Sequence, residues 1–254
     1  MSVTPPLSAL APGTSWRDAL LQRYDEVRAH SLALGAPLSA EDQGVQSMPE
    51  ASPTKWHLAH TSWFFEAVVL LEHDSGYRPF DQRFLRLFNS YYESLGPRHP
   101  RPQRGLLSRP ALAEVHAYRE HVDAAMRRFV ADADDAAWQA AAALVELGLN
   151  HEQQHQELIL SDILHALSCN PLLPAYAPHE PPALRLATPP ASMHWLPRDG
   201  GVVQVGHGGD GFAFDNETPR HAVLLQPHRI ADRLVTCGDY AQFIADGGYG
   251  NPAL

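Results

Sequence analysis

The stretch Trp138–Ser168, WQAAAALVELGLNHEQQHQELILSDILHALS, decides the reading of this chain. Its apolar residues recur at three- and four-residue steps, so it reads as one long helix that begins after Asp134 and ends near Asn170-Pro171. His151 and His155 stand four apart and project about 40° from one another, so both imidazoles can reach one ion. Leu144, Leu147, Leu158 and Asp162 project to the same side, which turns this face into a helical bundle. Two buried imidazoles need partners for their nitrogens. A metal supplies one, and a hydrogen-bonded pair of core histidines is the plain alternative. Glu152 lies about 100° round the wheel from His151 and points partly away, whereas Gln154 borders the histidine face.

Upstream, the same periodicity marks further helices. Trp16–Leu34 places Leu20, Leu21, Tyr24 and Val27 on one face. Ser52-Pro53 reads as an N-cap followed by a proline at the first helical position, opening KWHLAHTSWFFEAVVLLEH. In that helix His60 shares a face with Phe64, Ala67 and Leu71 and so looks inward, while His57 sits at the edge of the face, about 60° away. His60 is therefore the favoured ligand, with His57 hydrogen-bonding nearby or lining the pocket. FDQRFLRLFNSYYE is helical or irregular. GPRHPRPQRGLLSRP, with four prolines and four arginines, reads as a loop. Pro110 opens another helix, ALAEVHAYREHVDAAMRRFVADA. Four long helices and a long connection give a mainly α chain with a four-helix bundle over residues 1–170. One inward histidine from one helix and an i, i+4 pair from another is how bundles build metal sites. Three neutral nitrogens without thiolate suit zinc, iron, copper or nickel.

Residues 171–192 carry seven prolines and read as a semi-extended linker. From Met193 to Leu254 the texture changes to an α+β domain, with short strands at Gly201–Val205 and His221–Leu225 and a helix from Cys237 to about Ala245. Gly206, Gly208, Gly209 and Gly211 lack the following Lys-Ser/Thr of a phosphate loop and read as a turn.

Composition narrows the function. The 254 residues carry 19 Lys and Arg against 29 Asp and Glu, a formal charge of −10. That argues against nucleic acid or an anionic membrane as the main partner. The opening residues, MSVTPPLSALAPGTSW, lack the basic and apolar regions of a secretion signal. With two cysteines, Cys169 and Cys237, a disulfide framework is not expected and a reducing cytoplasm is. The fifteen histidines nearly equal all the basic residues. In this acidic chain Arg98, Arg101 and Arg104 cluster in one loop, and their guanidinium forks suit small carboxylates. Trp56, Trp63, Phe64, Phe65, Phe88, Tyr91 and Tyr92 read mostly as core. HEQQH also matches the H-E-x-x-H pattern of zinc metalloproteases, with Glu152 as the general base, although no third ligand motif follows it.

Taken together, SPTKWHLAHTSWFFE, YRPFDQRFLRLFNSYYESLGPRHPRPQRGLLSRP and LNHEQQHQELILSDILHAL resemble the ergothioneine-biosynthesis sulfoxide synthases, the EgtB family. The resemblance implies a DinB-like four-helix bundle followed by a formylglycine-generating-enzyme-like domain of the C-type-lectin-like fold. GFAFDNETPRHAVLLQPHRIADRLVTCGDYAQFIADGGY is similar to the opening of the latter, with Cys237 where asparagine is more familiar. It implies a ferrous iron, Fe(2+), on His60, His151 and His155. Gln154 then lies near the trimethylammonium group of hercynine, and Arg101 and Arg104 near the carboxylates of cysteine or γ-glutamylcysteine. The implied reaction is O2-dependent carbon–sulfur bond formation at the hercynine imidazole, with sulfur oxidised to a sulfoxide. The family's second domain is longer and carries an active-site tyrosine beyond Leu254, so weak or no turnover is expected of these residues alone. Two relatives in architecture stay open: the selenoneine synthases, and the DinB-like thiol transferases that use zinc or nickel but lack the appended domain.

Overall fold

A computed structural model describes residues 15–90, 96–177 and 192–254. The first fourteen residues, Tyr91 and Tyr92, and most of the proline-rich stretch (178–191) lie outside the described residues. The chain divides into two compact units, residues 1–179 and 180–254.

The first unit is a bundle of four long helical elements. Helix α1, Trp16–Gly35, starts at Ser15, whose side chain accepts the Arg17 N–H and so satisfies one of the orphan donors of the first turn. Helix α2, Thr54–Phe64, is capped by Pro53. The start is one residue later than the sequence predicts, which frees Ser52 for another use. A π-helical turn, Phe65–Leu70, continues α2 and is followed by a last α-turn, Leu71–His73. The wider π turn changes the angular register, so Leu71, expected on the face of His60, is 38% exposed, while Phe64 and Ala67 stay in the core. The segment after residue 80 forms a short helix, α3, Gln82–Leu87, capped by Asp81. The arginine-rich loop is not all loop: Arg101–Leu106 winds into a 3₁₀ helix, with its prolines confined to the start where no N–H is needed. Helix α4 spans Leu112–Asp132, and α5, Asp135–Ser168, runs the length of the bundle with Asp134 capping Ala137 N–H.

Helix α5 packs along α1 and α2, and α2 also packs along α4. Gly148 sets the closeness of one contact. A Cβ there would meet the Phe65 and Phe64 rings at 2.6–2.8 Å, so only glycine lets α5 pass against that turn. All eleven residues of α2 are buried, polar ones included.

The polar interior is a charge network joining all four long helices. Glu152 of α5, 0% exposed, accepts from Arg28 of α1 (2.9 Å), from Arg119 of α4 (3.0 Å) and from the Ser31 hydroxyl (2.6 Å). Arg28 also donates to Asp123 (2.7 Å) and to Ser62 of α2 (2.8 Å), and Tyr24 donates to Asp123 (2.7 Å). Arg119 donates to the Leu58 carbonyl and to Thr61 of α2, at 2.8 and 2.9 Å. Two guanidiniums thus face two carboxylates, and each of these four charges has an opposite partner.

Among the described residues the second unit has four strands in two antiparallel pairs. β1 (Trp195–Arg198) pairs with β4 (His228–Ala231), and β2 (Gly201–Val205) with β3 (His221–Leu225). The sequence predicts β2 and β3 but not β1 and β4. Trp195–Arg198 contains Pro197, a residue that demotes a strand pattern, yet as a member of a two-stranded pair it needs only one hydrogen-bonded edge. Gly200, at φ +79°, makes the turn between β1 and β2 where a Cβ would strike the Leu225 carbonyl. Helix α6, Cys237–Ala245, follows with a Thr236–Asp239 capping box. Gly206 and Gly211, both at positive φ, lie outside any strand or helix, in keeping with a turn. No helix among the described residues is long and apolar enough to cross a membrane.

Truncating Glu152 to alanine takes away the carboxylate that pairs with buried Arg119 and leaves Arg28 with Asp123 alone, and a loss of about 3–5 kcal/mol in unfolding free energy is expected from urea titration. Glu157→Ala, one turn on and exposed, leaves stability within about 0.5 kcal/mol.

Candidate metal centre

Three histidines from two helices converge. The ligand atoms of His60 (α2) and of His151 and His155 (α5) lie within 4.8 Å of one another. Among the described residues no other group of three His, Cys, Asp or Glu side chains has this convergence. Ring centroids are 5.0 Å apart for His60–His151, 4.7 Å for His60–His155 and 4.6 Å for His151–His155.

Each imidazole is held differently. His60 Nδ1 lies 2.6 Å from the Phe88 carbonyl, an acceptor only, so Nδ1 carries the proton and Nε2 keeps a lone pair. The His60 ring is stacked between Trp56 (4.7 Å, 14°) and Trp63 (5.4 Å, 14°). His155 Nδ1 meets His57 Nδ1 at 2.8 Å. Nδ1 of His151 is buried with no hydrogen-bond partner, a polar atom whose desolvation a bound ion could offset. Three neutral nitrogens, one of them orphaned, form a donor set that fits a divalent transition metal.

His57, the rival ligand within α2, is excluded from the cluster because both its nitrogens are engaged: Nδ1 on His155 and Nε2 on Asp162 at 3.1 Å. Burial lowers the proton affinity of all four rings. His151 falls to about 4, and for His60 and His155 the charges of neighbouring imidazoles add to the effect of burial. The three cluster rings are therefore neutral, and able to donate lone pairs, well below neutral pH.

The cluster opens into a cavity of about 400 Å³. Gln154 and Leu158 stand at its rim, Leu158 being 37% exposed although the helical wheel sets it inward. Arg101 and Arg104 also line it, so the structure brings His60, His151, His155, Gln154, Arg101 and Arg104 to one cavity. Arg104 is buried, donating to Ser52 Oγ (2.9 Å) and Ser90 Oγ (3.1 Å) with its guanidinium 3.3 Å from the centre of the Trp56 ring. Arg98 instead lines an adjoining cavity with His99 and donates to the Ser90 carbonyl at 2.7 Å. Among the described residues no carboxylate lines the histidine cavity, and Arg101 and Arg104 give that lining a cationic character that suits an anionic or electron-rich guest. Glu152 is absent from this wall. Burial raises its proton affinity, but the guanidiniums of Arg28 and Arg119 outweigh that and hold its pKa at about 2. Turned about 100° away from His151 and held by Arg28, Arg119 and Ser31, it is not placed to serve as the general base that the H-E-x-x-H reading requires.

Sequence reasoning missed Trp56, Ser52 and Ser90 as parts of the cavity. Trp56 reads as core because an aromatic at helical spacing usually is. Ser52 reads as a cap, and only the one-residue shift of α2 turns its hydroxyl toward Arg104.

Comparison with known proteins adds two findings. Residues 23–159 match the DinB superfamily. Over 207 residues the chain is 30% identical to a protein named hercynine oxygenase from Mycolicibacterium thermoresistibile, an alignment covering 79% of this chain and 42% of that protein. The chain thus spans about two fifths of that relative's length.

The buried imidazoles make stability depend on pH in metal-free protein. An unfolded histidine titrates near 6.5, whereas folded His151 resists protonation until about 4, so unfolding takes up protons between these values. In chelator-treated protein the urea midpoint is expected to fall as pH drops from 6.5 toward 4. It falls further as Glu152, unfolded value 4.5, approaches its folded value of about 2. A flat profile between pH 6.5 and 4 would contradict the neutral, buried cluster.

Proposed function

The chain belongs to the DinB superfamily, and on that premise we propose that it is a non-haem iron(II), O2-dependent sulfoxide synthase joining a thiol, cysteine or γ-glutamylcysteine, to the imidazole ring of hercynine. The observation that carries this reading is the convergence of His60, His151 and His155 on one cavity that Arg101 and Arg104 also line. The relative's name supports the choice of hercynine as substrate. In this reading residues 1–170 form the metal-bearing bundle, 171–192 the linker and 193–254 the start of a formylglycine-generating-enzyme-like domain.

The balance of the reaction is simple. One imidazole C–H and one thiol S–H are consumed with one O2. A C–S bond forms, one oxygen atom stays on sulfur as the sulfoxide and the other leaves in water. When bound, ferrous iron supplies the redox chemistry with O2 and a site for the thiolate. The remaining work belongs to the chain. His60, His151 and His155 would hold the ion through neutral nitrogens, leaving its 2+ charge to attract a thiolate. Arg101 and Arg104 set positive charge beside the cavity for the donor's carboxylates, and Arg104 is braced by two serine hydroxyls so that its guanidinium keeps one orientation. Gln154, at the rim, presents a neutral amide to the hercynine trimethylammonium group, where a cationic side chain would repel it. Bringing both organic substrates into one small cavity replaces a multi-body encounter with a positioned one.

Anaerobic addition of Fe(II) is expected to load one equivalent, and His60→Ala, His151→Ala and His155→Ala each to weaken loading by more than about 100-fold, the upper end of what losing a mere supporting residue costs. Oxygen added with hercynine and thiol then gives the sulfoxide adduct by mass spectrometry under single-turnover conditions. Zinc as the preferred metal together with chelator-sensitive peptide cleavage would overturn the reading.

A further inference from the structure

Two of the three cluster histidines have their outward nitrogen engaged, and the two partners differ in kind. His60 leans on a backbone carbonyl. His155 leans on another imidazole, and that imidazole leans on a carboxylate: Asp162 Oδ2 to His57 Nε2, 3.1 Å, then His57 Nδ1 to His155 Nδ1, 2.8 Å. Asp162 Oδ2 also accepts the backbone N–H of Ser52 at 2.8 Å, which holds the carboxylate in place. His57 is 1% exposed, so its ring has no solvent to exchange partners with.

Proton counting along this chain leaves one arrangement. An ionised carboxylate only accepts, so the proton of neutral His57 must sit on Nε2. His57 Nδ1 is then a bare lone pair. Two facing nitrogens at hydrogen-bond distance share one proton, and it must therefore belong to His155 Nδ1. His155 Nε2, the nitrogen not engaged by His57, is left unprotonated. The inverted arrangement would place the His57 Nε2 lone pair against the carboxylate and a proton on His155 Nε2, which closes that nitrogen to a metal.

We propose that Asp162 and His57 are positioning residues that fix the tautomer and orientation of His155, presenting its Nε2 lone pair to the histidine cluster. The relay rests on the metal-centre reading above for its purpose, but its geometry stands apart from it. Hydrogen bonding of a ligating imidazole to a carboxylate raises ligand basicity as well as fixing the ring, and loss of such a partner typically costs about 10–100-fold in metal affinity. Here the carboxylate acts through an intervening ring, so His57 carries the effect of Asp162 from residue 162 to residue 155.

The experiment has two arms. In metal-free, ¹⁵N-labelled protein, long-range ¹H–¹⁵N spectra of the histidine rings are expected to show His57 protonated on Nε2 and His155 protonated on Nδ1. A signal for His155 protonated on Nε2 would overturn the relay. In the second arm Co(II), whose d–d absorption reports ligand geometry, is titrated into the full chain. Asp162→Leu and His57→Phe are expected to weaken binding about 10–100-fold with a changed spectrum. Asp162→Asn, whose amide oxygen can still accept from Ser52 and His57, is expected to stay within a few-fold of wild type. Wild-type affinity in both Asp162→Leu and His57→Phe would overturn the proposal. Failure of the wild-type chain to bind Co(II) would instead sink the metal-centre reading, and the nitrogen spectrum, recorded without metal, still decides the relay.

Discussion

The ion pairs of Glu152 with Arg28 and Arg119 set the roll of α5, and the rest of the first unit follows from that roll. Adjacent residues on a helix project about 100° apart. Fixing Glu152 between α1 and α4 therefore aims His151, and with it His155 one turn on, at α2. A helix lined only by leucine and alanine could rotate by several tens of degrees at little cost. One whose carboxylate must meet two buried guanidiniums cannot. Burying four charges is costly, and such networks often contribute little net stability. Their value here is in uniqueness: only one rotation of α5 satisfies Arg28, Arg119 and Ser31 together.

Helix α2 solves the complementary problem. With all of its residues buried, it has no solvent face on which to place polar groups, so its serine, threonine and histidine side chains turn to partners inside. Thr61 and Ser62 turn to the arginines of the charge network, while His57 and His60 turn to the cluster side. The same helix thus joins the charged half of the core to the histidine half. The π turn after Phe64 falls where Gly148 lets α5 come closest, so an unusual backbone segment and an unusual residue meet at one contact.

Much of this was legible in the sequence, for identifiable reasons. His151 and His155 show because i, i+4 spacing is a local property, and His60 because one face of its helix is continuously apolar up to Phe64 and Ala67. Strands β2 and β3 show because they alternate cleanly. What stayed hidden depends on distance along the chain or on backbone atoms. Arg28 lies 124 residues before Glu152, and nothing local links them. The support for His60 is the Phe88 carbonyl, which no side-chain pattern encodes. The 3₁₀ turn at Arg101–Leu106 hides behind prolines that forbid a regular helix but suit a short tight one, and that turn is what brings Arg104 over Trp56.

The electrostatic character of the cavity follows from where the carboxylates went. Glu152 is used up by arginines on one side of α5 and Asp162 sits behind His57, so among the described residues no carboxylate faces the cluster. A divalent ion held by three neutral imidazoles keeps its full formal charge, and Arg101 and Arg104 add two more positive charges beside it. Such a site pulls in anions, and a volume of about 400 Å³ suits small organic molecules rather than a polypeptide. The acidic surface and the positive cavity are therefore separate features. The chain carries a formal charge of −10, so the cationic Arg101 and Arg104 beside the histidine cavity run against its average composition.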